Sequence, residues 1–538
     1  MNFRTWTFGF FLIISLFCYY KLPKKFQWIC VLVSSVVFYA FSGAVNLIFI
    51  LFSSFLTFYG AKKITSYNLL LKEKKSILTK EDFKVEKEKI KHIKRIVLLI
   101  VLVLNIGLLA YLKYWNAFVS FLGNSFLLNF DFLKFSGFRG ILLPLGISFY
   151  TFQTTAYFMD VYNGKYENEK NFLKYFTFVS FFPQLIMGPI NRFDKLGSQL
   201  KEEHNFDFEN IKHGVLLILF GAMKKYCIAD LLYTRISSVL DHPYDNLPGS
   251  LIALGILAFS IYQYADFSGG IDMVLGISKL FGLEMQPNFK QPYFARSLAD
   301  FWRRWHISLG LWMKDYVFYP LALTHFMQNI GKFFSTHGGK KFGKHLARTV
   351  PAGIANIVVF LLVGIWHGPE LHFVLWGLYN GLVIAFSDLF KPAFEKLSSI
   401  LHINVKSKCF VVFQIVRTFI VVNIGAYFDR ITDVKKCFLY LKRTFFNFGT
   451  LEIFKSQAYL KSVFGSFRYV ESELVLIISA SIIVFITSFL KENKVDLYTA
   501  IQKKNIAFRW SVYYVPLILV ILSMSFSPSN PVFMYAQY

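Results

Sequence analysis

The stretch Ile354-Ala355-Asn356-Ile357-Val358-Val359-Phe360-Leu361-Leu362-Val363-Gly364-Ile365-Trp366-His367-Gly368-Pro369 decides the fold. Its apolar residues run on without alternating with polar ones, which marks a helix surrounded by apolar matter rather than a barrel strand. Comparable runs recur from Trp6 onward, among them Phe26 to Phe41, Ile96 to Tyr114 and Val512 to Met524. Each is read as long enough to cross a bilayer, for which a helix needs about 20 residues. Pro369 stops the helix just after His367, so an ionisable, proton-shuttling side chain stands at the end of an apolar span. Such a group is costly there, and two readings compete: a buried imidazole hydrogen-bonded to a carbonyl, or a base that takes a proton from an acceptor hydroxyl.

The whole chain has the same character. Its 538 residues are 55% hydrophobic and 19% aromatic, with no long polar linker, so it reads as an all-α polytopic membrane protein, one integral-membrane domain over 1–538 in contact with lipid. The formal charge of +26 points at first to nucleic acid, but the lysines sit in short loops between apolar runs, where cytoplasmic loops explain them and nucleic acid does not. The basic stretch 61–95 reads as a cytoplasmic helical loop; Lys21, Lys24, Lys25 and the Lys491 to Lys504 segment fall on the same side, which places both termini outside. Cys18, Cys30, Cys227, Cys409 and Cys437 are scattered and lack CxxC spacing, as expected of small core residues. The first apolar run ends in bulky Phe17, Cys18, Tyr19 and Tyr20 and is expected to be retained as a helix. Leu127 to Arg139 is expected to be extracellular or interfacial. Between Pro144 and Arg192, Phe182-Pro183 and Gly188-Pro189 interrupt an apolar run, the mark of a re-entrant helix near a cavity.

Polar residues within spans concentrate between Tyr262 and His372, in one central block rather than in two corresponding halves as in many transporters. The segment from Asp300 to Trp312 is read as one helix. At about 100° per residue it would place Asp300, Arg303, Arg304, His306 and Gly310 on one side, and Trp302, Trp305 and Trp312 on the other. That is either an interfacial helix or the wall of a polar funnel. Asp300 and Arg304, four apart, are placed to form an ion pair. Asp266 and Asp272 are expected to pair with Arg303 or Arg304. No metal site is expected, since His-Glu-x-x-His is missing and His367 and His372 do not share a helix face. Neither a Gly-x-Ser-x-Gly elbow nor a Walker loop is present, which removes an intrinsic serine hydrolase and an ATP-driven pump.

These segments together resemble the membrane-bound O-acyltransferase family, in its bacterial alginate O-acetyltransferase-like branch. The resemblance rests on Pro144 to Phe149 with Gln153 and Asp160; on Phe182-Pro183-Gln184 with Gly188-Pro189-Ile190 and Arg192; and on Asp266-Phe267-Ser268-Gly269 with Asp272. It is most specific in Phe301 to His306 with Trp312, Asp315, Tyr316 and Pro320, and in Trp366-His367-Gly368 with Leu375-Trp376-Gly377; the closing Phe533 to Tyr538 is also similar. Leu321-Ala322 and the loosely matching Gly425 to Arg430 depart from the family pattern.

The resemblance implies transmembrane and re-entrant helices around a central tunnel or funnel, with a catalytic core at 141–390 and C-terminal transmembrane helices at 409–538. It implies that His367 is catalytic and His306 also required, supported by Asp266, Asp300, Trp302, Arg303, Arg304, Trp305, Trp312, Asp315, Tyr316 and Trp366. The implied reaction moves an acyl group, acetyl in this branch, from acetyl-CoA or a carrier-protein thioester, with no tightly bound cofactor, to a polysaccharide of the cell wall or exterior. A separate extracytoplasmic acyltransferase of the serine-histidine-aspartate type is the implied partner, and a bacterial cytoplasmic membrane the location. D-alanyl transfer to teichoic acid on the same fold, or transport of a lipid or polysaccharide, are the alternatives.

Overall fold

In a computed structural model of the chain, residues 5–126, 144–241, 247–449 and 470–526 are described. The expected loop at Leu127 to Arg139, His242 and the closing motif Phe533 to Tyr538 lie outside them. Regular structure among the described residues is helical, apart from one isolated β-bridge between Phe289 and Trp305. Seven helices are long and apolar enough to cross a membrane, and an eighth counts if Leu371–Leu389 and Lys391–Ile400, bent by 55°, form one span. The chain is a multi-pass membrane protein. Two early expectations shorten: Trp6–Lys21 has 16 residues and the helix within Phe26 to Phe41 only 14, Gln27–Ala40, both below the length of a full crossing.

The residues group into two compact units. The first comprises Met1–Val215 and Val274–Gln286, the second Leu216–Met273 and Pro287–Tyr538. In the first, the helices are α1 (Trp6–Lys21), α2 (Gln27–Ala40), α3 (Leu47–Ile77), α4 (Lys80–Phe126), α5 (Ile147–Tyr162), α6 (Phe172–Ser180) and α7 (Phe182–Met187). The basic stretch 61–95 is the polar end of the α3–α4 hairpin, helical as expected. Buried Asn105 of α4 donates to Thr154 Oγ1 (3.1 Å) and Thr155 Oγ1 (3.0 Å) of α5 and accepts from Ser53 of α3 (2.6 Å), an interhelical polar contact of the kind that ties helices together in lipid. Pro183 opens α7 and Gly188 ends it, so the segment is broken where proline and glycine predict, and it is almost wholly buried.

The helix α8 (Phe208–Met223) leads along the chain into the second unit, where a π-helical segment, Lys224–Ala229, precedes α9 (Asp230–Leu240). Then come α10 (Gly249–Leu280), α11 (Leu298–Arg304), α12 (Ile307–Met313), α13 (Tyr319–Ala322), α14 (His325–His337), α15 (Lys344–His367) and α16 (Leu371–Leu389). The chain continues through α17 (Lys391–Ile400), α18 (Lys408–Arg430), α19 (Val434–Phe446), α20 (Val470–Glu492), α21 (Leu497–Gln502) and α22 (Ile506–Met524). The core pair is α15 and α16, an antiparallel hairpin at glycine distance. A Cβ on Gly364 would lie 2.4 Å from the Phe373 carbonyl oxygen, and one on Gly377 would lie 2.3 Å from that of Phe360. Backbones this close gain dispersion along the whole hairpin, the means by which helices associate where lipid removes the hydrophobic drive.

Candidate active site

His367 is the last residue of α15, where Gly368 and Pro369 turn the chain into α16. Gly368 leaves no room for a side chain: an added Cβ would meet the Phe373 ring at 2.7 Å. The turn therefore clamps the imidazole among aromatic rings, with centroids 5.7 Å from Phe373, 5.0 Å from Trp366 and 5.0 Å from Trp376. His367 is buried, and so are Trp366 and Trp376.

His306 reaches the same place by a route the periodicity did not predict. The expected single helix from Asp300 to Trp312 is two short ones. α11 is capped by Ser297, whose hydroxyl accepts the Asp300 amide (3.1 Å), and it ends at Arg304. Trp305 is extended and bridges to Phe289: the Lys290 amide donates to the Arg304 carbonyl (2.9 Å) and the Ile307 amide to that of Asn288 (3.0 Å). His306 lies between with left-handed backbone, φ 46° and ψ 53°. The Asn288 Oδ1 accepts the Ser308 amide at 3.0 Å, capping α12 from another segment, and stands 3.3 Å from His306 Nδ1. Helix breaks of this sort come from pairing with a distant strand, so the segment's own spacing cannot reveal them.

The break turns the residues toward one space. A cavity of about 620 Å³ is lined by both His306 and His367, together with Trp302, Arg303, Trp305 and Lys314. Its volume suits an extended small molecule. The Trp366 ring neighbours both histidines, its centroid 6.3 Å from His306 and 5.0 Å from His367. Burial pushes the His306 imidazole down to about 3, so it is neutral at ordinary pH. Both histidines and the wall that holds them lie in 167–424, and that stretch matches the model of the family described as MBOAT, membrane-bound O-acyltransferase.

That match, a little under half of the chain, makes the chain similar to the membrane-bound O-acyltransferase family. It is 33% identical over 332 residues to the probable alginate O-acetylase AlgI of Pseudomonas syringae pv. tomato, covering 61% of this chain and 56% of that protein. It is 32% identical over 335 residues to the peptidoglycan O-acetyltransferase of Helicobacter pylori (56% and 57%), and 28% identical over 253 residues to the teichoic acid D-alanyltransferase of Bacillus subtilis (46% and 59%). The chain thus spans little more than half the length of these curated relatives.

Within the matched stretch and beside it, the remaining site residues separate into groups. Trp302 belongs to the wall: its Nε1 donates to Asn380 Oδ1 (3.0 Å) and its ring packs edge-on against Trp376 (centroids 5.4 Å), tying α11 to α16. Arg303 is exposed at the cavity and only loosely near Asp300 (3.6 Å). Arg304 makes the expected pair with Asp300 (Nε to Oδ2, 3.1 Å) and adds Glu492 (2.8 Å). Trp312 is buried against the Tyr316 ring (5.4 Å), while Asp315 of the π-helical Lys314–Phe318 turn is exposed.

Asp266 and Asp272 correct the sequence reading. Their partners are not Arg303 and Arg304 but the lysines of the π-helical turn: Lys225 pairs with Asp266 and with Asp230 (2.9 Å), and Lys224 with Asp272 (2.6 Å). Four of these five groups are almost fully buried, so each needs an opposite charge of its own. Asp266 therefore braces α10 against the Lys224–Ala229 turn and does not line the cavity. The signal was available: Lys224-Lys225 interrupts an apolar run just as Asp266 and Asp272 do. Asn288, Asn356 and Asp388 were missed as well, the first for its pairing and the others as cavity lining. His372 is a satisfied structural histidine, its Nδ1 2.8 Å from the Phe428 carbonyl oxygen. Among the described residues no three His, Cys, Asp or Glu side chains come together as metal ligands would.

Proposed function

We propose that this chain transfers an acyl group, acetyl in the first instance, from a thioester donor to a hydroxyl of a cell-wall or extracellular polysaccharide. The observation that carries the reading is the shared cavity: two buried histidines from separate segments line one space large enough for a thioester arm. The donor is acetyl-CoA or a carrier-protein thioester. His367 accepts the acceptor's hydroxyl proton as that oxygen bonds to the thioester carbonyl carbon; the carbon–sulfur bond then breaks and the imidazolium returns the proton to the departing thiolate. General-base assistance of this kind contributes about 10²–10⁴-fold. His306, neutral at working pH, adds a second imidazole to the lining of the same cavity. Arg303 and Lys314 put positive charge at the exposed part of the cavity, which suits the phosphates of a CoA-like donor.

The names of the relatives support the acceptor class: alginate, peptidoglycan and teichoic acid are glycan or glycan-like polymers of the bacterial surface. In this reading the chain sits in a bacterial cytoplasmic membrane and works with an extracytoplasmic acyltransferase partner of the serine-histidine-aspartate type. Acetyl is preferred over D-alanyl because the acetylase relatives match at 32–36% identity and the D-alanyl relatives at 26–28%.

The test is reconstitution in lipid vesicles with acetyl-labelled CoA, following label into glycan or an added partner. The parent is expected to release CoA thiol and transfer label, and His367→Ala to lose at least about 10²-fold in rate with an unchanged melting profile. Equal transfer by parent and variant would remove His367 from the chemistry. Movement of glycan without thioester cleavage would establish the transporter reading instead.

A further inference from the structure

A second cavity, about 280 Å³, lies wholly inside the first unit and contains no histidine. It is lined by Thr65, Asn68 and Lys72 of α3, Lys94 of α4, and Tyr162 and Glu167 around the end of α5. Its level along the helices is set by the sequence: Lys94 and Arg95 precede the apolar run that starts at Ile96, and Lys72 follows Leu69-Leu70-Leu71. This is where a bilayer's headgroups meet a spanning helix.

The charge in this cleft is unbalanced. Lys94 Nζ donates to Asn68 Oδ1 (2.8 Å) and sits 5.1 Å from the centre of the Tyr162 ring. Neither Lys72 nor Lys94 forms an ion pair among the described residues. Nearby acids are engaged by other cations: Lys165 takes Asp160 and Asp194, Lys201 takes Glu169, and Lys74 takes Glu86. Two ammonium groups therefore face a polar hollow that contributes one carboxylate, Glu167, which is exposed. Juxtamembrane basic clefts between helices attract the phosphate of anionic lipid headgroups.

We infer that this cleft binds a phosphate group, the glycerophosphate of an anionic phospholipid or a soluble phosphate ester, with Lys72 and Lys94 meeting the phosphate oxygens. Glu167 then accepts from hydroxyls beyond the phosphate, which favours a glycerol headgroup. The site is independent of the acyl-transfer reading, since no residue of the histidine cavity takes part.

The experiment is a thermal melt of the purified full chain in neutral detergent, titrated separately with short-chain phosphatidylglycerol, short-chain phosphatidylcholine and inorganic phosphate. Phosphatidylglycerol is expected to raise the melting temperature saturably, and phosphatidylcholine to do so at least tenfold more weakly. The Lys72→Gln/Lys94→Gln variant should weaken the apparent affinity at least tenfold; Lys72→Arg/Lys94→Arg should keep it, and Lys87→Gln/Lys89→Gln, with the same charge loss elsewhere on α4, should leave it unchanged. The same lysine-dependent shift with inorganic phosphate supports the site and names a soluble ester as ligand. Absence of any saturable shift, or equal weakening by the Lys87 and Lys89 control, overturns it.

Discussion

A left-handed backbone costs a residue with a Cβ roughly 1–2 kcal/mol, and His306, which lines the histidine cavity, adopts it. The cost is offset by the hydrogen bonds its neighbours make to Asn288 and Lys290, and by the fit of its ring 4.9 Å from Phe267. Asparagine tolerates this conformation better than alanine. His306→Asn is therefore expected to melt above His306→Ala, by about 1 kcal/mol, although both lose acyl transfer. If the alanine variant melts as high, the backbone is not the constraint. The same residue sets a pH dependence. Its folded value near 3 lies below the ordinary 6.5, so under acid the unfolded chain takes up a proton that the folded chain refuses. Stability contributed by the neutral ring is complete above pH 6.5 and falls as pH drops from there toward 3, by up to about 1.4 kcal/mol per unit. Melts of parent and His306→Asn should run parallel above pH 7, with the parent losing more between pH 6.5 and 4; parallel curves throughout would show that the imidazole is not held neutral.

At the scale of elements, the α15–α16 hairpin holds His367 in place, and its tolerance is set by backbone atoms that cannot swing aside. Gly377→Ala drives a methyl to 2.3 Å from the Phe360 carbonyl oxygen, so the helices must part. A loss of about 1–3 kcal/mol is expected from such overpacking, read as a lower melting temperature, with slower transfer because Trp376, the preceding residue, packs on His367. Gly107→Ala in α4, where nothing lies within 4 Å, is the control and should be neutral or slightly stabilising. A hairpin unmoved by Gly377→Ala would mean the contact is looser than described. Elements of this kind were legible in the chain: the unbroken run before His367 is α15, and Pro183 and Gly188 delimit α7 as their chemistry requires. The break at Trp305 and His306 was not, because its cause is Asn288, 18 positions upstream, and the segment's own periodicity is compatible with one helix. Local spacing did foresee the Asp300–Arg304 pair, which lies within one helix. It misassigned Asp266 and Asp272, whose partners are fixed by how α10 packs on the Lys224–Ala229 turn. Residues that act within a helix are readable from spacing; those joined by tertiary contact are not.

For the molecule as a whole, the distribution of charge decides how it sits in a membrane. Six of its seven candidate spans bury a third or less of their most apolar stretch within the protein, leaving the remainder to lipid, whereas Gly249–Leu280 buries 61%. Lipid-facing helices carry little orientation information in their apolar residues, so orientation falls to the cations at their ends. The chain's 58 Lys and Arg exceed its 32 Asp and Glu, and they do so both in 61–95, by twelve to five, and in Lys491 to Lys504, by four to two. Both segments are therefore expected on the cytoplasmic side, where a cytoplasmic thioester would also be presented. The check uses single cysteines in a background with Cys18 and Cys409, the exposed native thiols, replaced by serine; Cys30, Cys227 and Cys437 are buried. Ser76→Cys and Lys503→Cys should each react with a membrane-impermeant maleimide only after the cells are permeabilised. Labelling of either position in intact cells would reverse the orientation of that segment, and with it the side from which a donor enters.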